Sequence, residues 1–252
     1  MGDEEIIQAR HELLEYAHQL FRSVSDTPLP PLCVINHDIP LIDPNCIYPW
    51  CPSKCPEALR PQWATKHNDY IANDCWRITS SLNTVPMMLI KKPALPGEPI
   101  HLCTVIDLHA WNANTSKMSL PLPNQDGMLR QFAATPYRSL RDMKDAYEQV
   151  QVNPDHVERT AVSTPDGNMV SNVIQIGDCN APATFQALMN HIFSPYIGQF
   201  MDIYLDDIAI YSQTLDEHIE HVKIMFDVLM REKLYLSKNK LHLLKLEIKI
   251  LG

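Results

Sequence analysis

The chain has 252 residues, of which 45% are hydrophobic, and it is long enough to bury a core as one large or two smaller domains. Its acidic N-terminal residues and the lack of a long apolar run argue against a secretory signal and a membrane helix, so we predict an intracellular protein with no membrane partner. The formal net charge of −9 at pH 7 argues against a nucleic-acid-binding protein, because phosphate contacts dominate that affinity.

The number of cysteines predicts that they are reduced thiols and do not form a disulfide framework. There are seven of them, an odd number in a chain without a secretory signal. Cys46, Cys51 and Cys55, with His37 upstream, form the only cluster. Zinc sites usually combine two close pairs of ligands, whereas this cluster holds one loose pair among prolines, so a zinc site is the less favoured interpretation.

An amphipathic helix and a proline-rich arm are predicted at the start of the chain. Residues 4–23 carry apolar residues at helical spacing, namely Ile7, Leu14, Ala17, Leu20 and Phe21. The following stretch, TPLPPLCVINHDIPLIDPN, cannot stay helical because of its prolines. We therefore assign residues 1–48 to an N-terminal helix and arm, and residues 49–252 to the main domain.

The next segments alternate between helix and strand. A helix beginning near Pro56 is expected to place Leu59, Trp63 and Tyr70 on one side. Short apolar runs at residues 84–92 and 101–109 predict two paired strands joined by the turn-forming PALPGEP. A loop and short helix within residues 120–133 and a strand over residues 137–142 are expected to follow.

The second half predicts two hairpins and two helices. Residues 165–168, with the sequence PDGN, indicate a hairpin turn. Asn180 and Pro182 are expected to begin a helix whose apolar stripe is Phe185, Leu188, Met189 and Ile192. Thr214 and Glu217 have the capping-box pattern, before a helix that buries Ile219, Val222, Phe226 and Leu229. Without a regular βαβ repeat, an α+β fold with a mostly antiparallel sheet is favoured.

Three aspartates carry the clearest chemical signal. Asp206 and Asp207 lie between two apolar runs, and adjacent carboxylates at a hairpin tip repel each other unless a cation offsets their charge. Aspartate is also a common turn residue, so the pair alone has little specificity. Asp142 ends a separate strand-like run and adds a third carboxylate. Oxygen ligands from two strands suit Mg²⁺ and two-metal phosphoryl transfer.

An ordered series of motifs carries a family resemblance. It comprises CPEALRPQWATKHNDYI, NTVPMMLI, VIDLHAWNANT, SLRDMKDAYEQV, GDCNAPATFQALMNHIF, FMDIYLDDIAIYS and HIEHVKIMFDVLMREKLYLSKNK. Over residues 35–252 this series resembles the reverse transcriptases of fungal gypsy-type LTR retrotransposons. The resemblance implies the fingers and palm of a right-hand polymerase, with the thumb absent. It also implies Mg²⁺ or Mn²⁺ as cofactor, and an RNA or DNA template-primer, deoxynucleoside triphosphates and other parts of a Pol polyprotein as partners.

The resemblance assigns roles residue by residue. Catalysis and metal binding fall to Asp142, Asp206 and Asp207. Nucleotide contacts fall to Lys91, Lys92, Cys103, Asp145, Ala146, Tyr147 and Gly177, with Tyr147 as the aromatic gate against a ribose 2′-OH. Primer or template contacts fall to Asn180, Pro182, Gln186 and Tyr204. Without the motif, Tyr147 is more typical of an ordinary half-buried helix residue than of a gate, and the lysines are typical of solvated surface charge.

One departure from the family pattern bears on activity. Cys103 stands where the family pattern has an arginine that grips the triphosphate, and a thiol lacks its charge and forked donors. Four further positions also stand where relatives tend to have arginine: Cys51, Cys75, His109 and Trp111. The first hypothesis implied by the resemblance is therefore an RNA-directed DNA polymerase core in a truncated and partly decayed copy, and the alternative is an inactive remnant that keeps the fold as a binding or interaction module. An unrelated metal-dependent nuclease would use similar carboxylates but does not account for the motif order.

Overall fold

The computed structural model describes residues 3–21, 29–92, 100–119, 122–143 and 145–245. Its helices are α1 (Asp3–Tyr16), α2 (Arg60–Ala72), α3 (His109–Ala113), α4 (Gln125–Ala133), α5 (Ala181–Ile192) and α6 (Leu215–Glu232). Its strands are β1 (Trp76–Ile78), β2 (Val85–Lys92), β3 (His101–Ile106), β4 (Tyr137–Met143), β5 (Val162–Thr164), β6 (Gly167–Ser171), β7 (Met201–Tyr204), β8 (Asp207–Ser212) and β9 (Leu236–His242). Short 3-10 helices include Glu57–Leu59, Ala146–Gln149 and Pro154–Thr160.

The chain divides into two compact units. The four-stranded unit comprises Met1–Ser23, Ser119–Ala146 and Phe185–Gly252, and the five-stranded unit comprises Val24–Met118 and Tyr147–Thr184. These boundaries differ from the predicted division at residue 48, because α1 packs in one unit and residues 29–48 pack in the other.

The five-stranded unit contains a sheet in the order β1-β6-β5-β2-β3. The predicted pairing of β2 with β3 is confirmed, with Ile90 opposite Cys103 in an antiparallel register. β2 also pairs in parallel with β5. The predicted β5-β6 hairpin is confirmed, and Thr164 faces Gly167 across its turn. Aromatic and apolar side chains of α2 and the sheet form the core, including Trp63, Trp76, Met87, Val162 and Met169.

The four-stranded unit is built on a sheet in the order β7-β8-β4-β9, whose three neighbouring pairs are all antiparallel. The predicted, mostly antiparallel α+β architecture is thereby confirmed. α6 packs on β8 and β4, and α1 packs on α6. Both parts of the predicted capping box are present, because Thr214 accepts from the Glu217 amide and the Glu217 carboxylate accepts from the Thr214 amide.

The buried face of the N-terminal helix agrees only in part with the predicted one. Ala17 and Leu20 are buried as predicted, whereas Ile7 is 61% exposed, and Ala9 and Leu13 pack inward beside them. The helix is oriented by its contact with α6, where the Tyr16 hydroxyl donates to Asp227 Oδ1 at 2.6 Å. A partner more than 200 residues away therefore decides which apolar side chains are covered. The predicted turn PALPGEP, residues 93–99, lies outside the described residues.

A buried histidine in α6 was not foreseen. His218 is fully buried, while the neighbouring Ile219, predicted to be in the core, is half-buried. The ring of His218 lies between two serine hydroxyls: Nε2 is 2.7 Å from Ser139 Oγ of β4, and Nδ1 is 2.9 Å from Ser212 Oγ of β8. Burial, with a smaller contribution from His221, lowers the pKa of His218 to about 3. The imidazole is therefore neutral at physiological pH.

In the described part of the chain, every helix is too short or too polar to span a bilayer.

Candidate active site

The register of β4, β7 and β8 gathers the backbones of the three aspartates at one end of the four-stranded sheet. Asp142 of β4 lies directly opposite Asp207 of β8, and Tyr204 of β7 lies opposite Asp207 on its other side. Asp206 occupies the intervening turn, where its carbonyl accepts from the Met143 amide at 3.2 Å. Directly opposed residues in antiparallel strands have neighbouring Cβ atoms. Asp206 and Asp207 are half-exposed, and the side chain of Asp142 lies outside the described side chains.

The turn that carries Asp206 is held by Gln186 of α5. Leu205 adopts φ +55°, a left-handed conformation that costs an L-residue roughly 1–2 kcal/mol. Its amide donates to Gln186 Oε1 at 2.6 Å, and Gln186 Nε2 donates to the Ile203 carbonyl at 3.1 Å. The Gln186 side chain is fully buried. The predicted primer or template contact of Gln186 is therefore wrong, since its amide is used inside the unit to position the aspartate turn.

Tyr204 lies beside the start of α4. Its half-buried side chain lines a cavity of about 330 Å³ together with residues 122–126. Asn124 caps α4 there, with Oδ1 accepting from the Gly127 amide at 3.2 Å. This arrangement places an aromatic ring and a helix start next to the aspartate turn, and the contact of Tyr204 with a primer end stays a prediction.

The segment directly after β4 carries the predicted nucleotide contacts Asp145, Ala146 and Tyr147. Asp145 is exposed and adopts φ +45°, and Ala146 is buried at the start of the 3-10 helix Ala146–Gln149. Tyr147 is half-buried in that helix. The roles of all three residues at a nucleotide stay predictions.

Side chains of the five-stranded unit fasten the loop before α5. Gly177 has φ +101°, a conformation that favours glycine. Asn112 grips both sides of the loop, because Nδ2 donates to the Gly177 carbonyl at 2.9 Å and Oδ1 accepts from the Cys179 amide at 3.0 Å. Burial raises the pKa of the Cys179 thiol, and the Asp178 carboxylate raises it further. Sequence reasoning missed Asn112, whose only signal is its place in VIDLHAWNANT.

Asn180 has a different task from the predicted one. Its side chain is buried, with Oδ1 accepting from the Met118 amide at 2.9 Å and Nδ2 donating to the Ser116 carbonyl at 3.0 Å. A direct primer or template contact of this side chain is therefore wrong. Just before the helix, Asp178 Oδ1 accepts from the Asn180 amide at 2.8 Å. Pro182 lies in the first turn of α5 as predicted, half-buried.

The β2-β3 pair carries the predicted triphosphate contacts. Cys103 is partly buried on β3. Lys91 and Lys92 are exposed at the end of β2, opposite Leu102 and His101. Exposed lysines at a strand end suit either a phosphate contact or solvated surface charge. The position of Cys103 at a triphosphate stays a prediction.

Two of the four further positions where relatives tend to have arginine are buried. Trp111 is 2% exposed, and its ring centroid lies 6.3 Å from that of Tyr48 in the core. Cys75 is buried next to Trp76, and burial raises the pKa of its thiol to about 11. An arginine at either place would need a buried partner, so the packing argues against decay at these two positions. His109 is exposed, and Nδ1 lies 2.7 Å from Asp107 Oδ1.

The donor sets for metal ions differ in quality. Cys46 and Cys55 pack against two separate apolar clusters, which does not favour the cysteine cluster as a zinc site. Among the described side chains, which do not include that of Asp142, no three His, Cys, Asp or Glu residues converge as a ready metal site. The three aspartates supply hard oxygen donors on backbones that the sheet brings together, and this donor chemistry fits Mg²⁺ or Mn²⁺.

Comparison with known proteins gives a consistent pattern. A family profile described as reverse transcriptase (RNA-dependent DNA polymerase) matches residues 90–252. The retrovirus-related Pol polyprotein from transposon 297 of Drosophila melanogaster is 32% identical over 69% of this chain. The RNA-directed DNA polymerase homolog of Oenothera berteroana is 32% identical over 48% of this chain and 87% of its own length. This chain spans 16% of the transposon 297 polyprotein.

Solved structures share the fold. The foamy viral protease-reverse transcriptase, in complex with an RNA/DNA hybrid, aligns with 100% of this chain at a TM-score of 0.81 and 20% identity, and this chain covers 33% of it. The same viral protein in complex with dsDNA aligns at a TM-score of 0.79, also at 20% identity. The predicted fingers-and-palm fold is thereby confirmed.

Proposed function

We propose that this chain, which belongs to the reverse transcriptase (RNA-dependent DNA polymerase) family, synthesises DNA on an RNA template by two-metal phosphoryl transfer. Family membership rests on the profile match over residues 90–252 and on the Pol polyprotein relatives. The observation that carries the mechanism is the register of the four-stranded sheet, which sets Asp142 opposite Asp207 with Asp206 in the adjoining turn.

The three aspartates would hold the metal ions. Asp142, Asp206 and Asp207 contribute hard carboxylate oxygens, and bound Mg²⁺ or Mn²⁺ would supply charge stabilisation at the transferring phosphate and activation of the primer hydroxyl. The protein's own part is to keep the carboxylates in place. Gln186 holds the turn that carries Asp206, because it accepts from the amide of the left-handed Leu205. The β4-β8 hydrogen bonds fix the separation of the strands that carry Asp142 and Asp207.

The proposed substrates are a template-primer and deoxynucleoside triphosphates. Tyr147 would crowd a ribose 2′-OH and so select deoxynucleotides. Gly177, Asp145 and Ala146 would present backbone to the nucleotide, and Lys91 and Lys92 would contact phosphates. Tyr204 and Pro182 would lie along the primer or template. The foamy viral relative, in complex with an RNA/DNA hybrid and with dsDNA, supports this class of ligand.

The proposal also covers origin and setting. The motif series favours a gypsy-type retroelement, a Pol polyprotein context, and residues 49–252 as fingers and palm after an N-terminal helix and arm. The setting is intracellular, where deoxynucleoside triphosphates are available. Cys103 is the specific observation that favours the second candidate, an inactive remnant that binds nucleic acid without turnover, because a thiol replaces a charged, forked phosphate ligand.

Primer extension tests the proposal directly. With poly(rA)/oligo(dT), dTTP and Mg²⁺, the parent chain should add nucleotides at a low rate, because Cys103 lacks the charge of an arginine, and Asp207→Asn should reduce incorporation by at least about a hundredfold. Asp216→Asn makes the same chemical change at an exposed position of α6 and should leave the rate unchanged. Binding of the template-primer without extension would support the inactive remnant, and shortening of the primer would support a nuclease.

A further inference from the structure

The arm before residue 49 enters the five-stranded unit at His37. The His37 amide donates to the Gln151 carbonyl at 2.8 Å, and the Asn153 amide donates to the His37 carbonyl at 2.8 Å. His37 thus forms a parallel bridge with Val152. The bridged segment begins two residues after the 3-10 helix that contains Tyr147, so the backbone of His37 braces the chain just beyond the proposed gate.

The side chain of His37 reaches a second proposed nucleotide segment. The ring is 1% exposed, with Nδ1 at 2.9 Å from Thr184 Oγ1 of α5. Nε2 lies 3.3 Å from Asp178 Oδ2, without the alignment of a hydrogen bond. The other oxygen of Asp178 accepts from the Asn180 amide. One imidazole therefore contacts the loop after Gly177 and the first turns of the helix that follows.

The loop carries a buried carboxylate, that of Asp178. Asp178 has a side chain that is 6% exposed, and a buried carboxylate is costly unless polar partners surround it. The Asn180 amide donates to one Asp178 oxygen, and His37 Nε2 lies 3.3 Å from the other. Both ring nitrogens of His37 lie against polar atoms of the same region, with Nδ1 near Thr184 of α5 and Nε2 near Asp178 of the loop before it.

We propose that His37 is a positioning residue, which holds the loop Gly177–Asn180 in the conformation that receives the nucleotide and joins it to the segment carrying Tyr147. The nucleotide part of this inference rests on the proposed function. The ordering of the loop does not, because it follows from contacts within the five-stranded unit alone. The arm before residue 49 then contributes, through His37, to the conformation of the nucleotide site.

Hydrogen exchange of the full chain tests the ordering. His37→Asn keeps a polar atom near Thr184 but cannot reach Asp178, and His37→Gln reaches Asp178. The Cys179 and Asn180 amides should exchange about tenfold faster in His37→Asn and near the parent rate in His37→Gln. His191→Asn, at an exposed position of α5, is the matched control and should change nothing. Unchanged exchange in His37→Asn, or acceleration spread equally over all peptides, overturns the proposal.

Nucleotide affinity separates positioning from simple support of the fold. On a template-primer with a chain-terminated end, His37→Asn should raise the Kd of dTTP by about tenfold and leave the Kd of the template-primer unchanged. His37→Gln should restore dTTP affinity, and Asp178→Asn, which keeps an oxygen for the Asn180 amide, should weaken it. Faster loop exchange with an unchanged Kd of dTTP overturns the positioning role. If the parent chain binds no dTTP, the proposed function fails, and the exchange result still decides the ordering of the loop.

Discussion

Replacement of Gln186 by leucine should disable the candidate active site without touching a carboxylate. Leucine has nearly the volume of glutamine and fills the buried position, but it cannot accept from the Leu205 amide or donate to the Ile203 carbonyl. An orphaned, poorly solvated amide costs about 1–3 kcal/mol. Leu205 also loses the contact that holds it in its left-handed conformation.

Both losses act on the residue next to Asp206, so the turn should relax and move the carboxylates. A displacement of about 1 Å at a reacting centre can lower a rate roughly a hundredfold. We expect Gln186→Leu to lower the free energy of unfolding by about 1–3 kcal/mol and Mg²⁺-dependent primer extension by about ten- to a hundredfold. Urea denaturation and single-nucleotide incorporation measure the two quantities.

The matched control is Gln131→Leu, the same chemical change at an exposed position of α4 in the same unit. It should change the free energy of unfolding by less than about 0.5 kcal/mol and leave the rate unaltered. If Gln186→Leu is as stable and as active as this control, the turn is held by something other than the Gln186 amide, and our account of the site is wrong.

Three further predictions follow from charge and protonation. The fold lowers the pKa of His218 to about 3, against 6.5 in the unfolded chain. The neutral ring therefore contributes fully to the free energy of unfolding above pH 6.5. As the pH falls from 6.5 toward 3, this free energy should decrease by roughly 1.4 kcal/mol per pH unit, because only the unfolded chain binds the proton. The pH slope of urea stability should flatten in His218→Gln, and an equal slope would contradict this. Cys103→Arg, in a chain fused to the thumb of a relative, should raise nucleotide incorporation at least about tenfold, and equal rates would show that Cys103 is not at the triphosphate. Template-primer binding should be weak because of the net charge of −9, and it should fall steeply with salt because phosphate contacts dominate such binding; tight, salt-insensitive binding would refute this.

Local sequence signals predicted the elements that carry the aspartates. The β7-β8 hairpin follows from two alternating apolar runs around Asp206 and Asp207, and α6 begins at a capping box whose two residues are three positions apart. Such signals act over a few residues, so contacts with distant segments do not change the elements that they predict. The α5 stripe of Phe185, Leu188, Met189 and Ile192 is buried for the same reason.

The roles of buried amides could not be read from sequence. Gln186 and Asn180 were both expected to contact the primer or template, whereas both side chains turn inward to backbone groups. Only burial distinguishes an amide that binds a ligand from one that fixes a turn, and burial depends on segments distant in sequence. The contact of His37 with Asp178, 141 residues away, is of the same kind.

The division of the chain into units has a consequence for its biogenesis. The backbone passes from one unit to the other four times, and the four-stranded unit needs both α1 and α6. During synthesis, the apolar face of α1 emerges about 200 residues before its partner helix. Pairings of such long sequence separation form slowly and leave apolar surface uncovered in the meantime. A nascent chain interrupted before Leu215 would therefore be prone to aggregation, and a circular permutant that joins α1 to the end of β9 should fold faster than the parent.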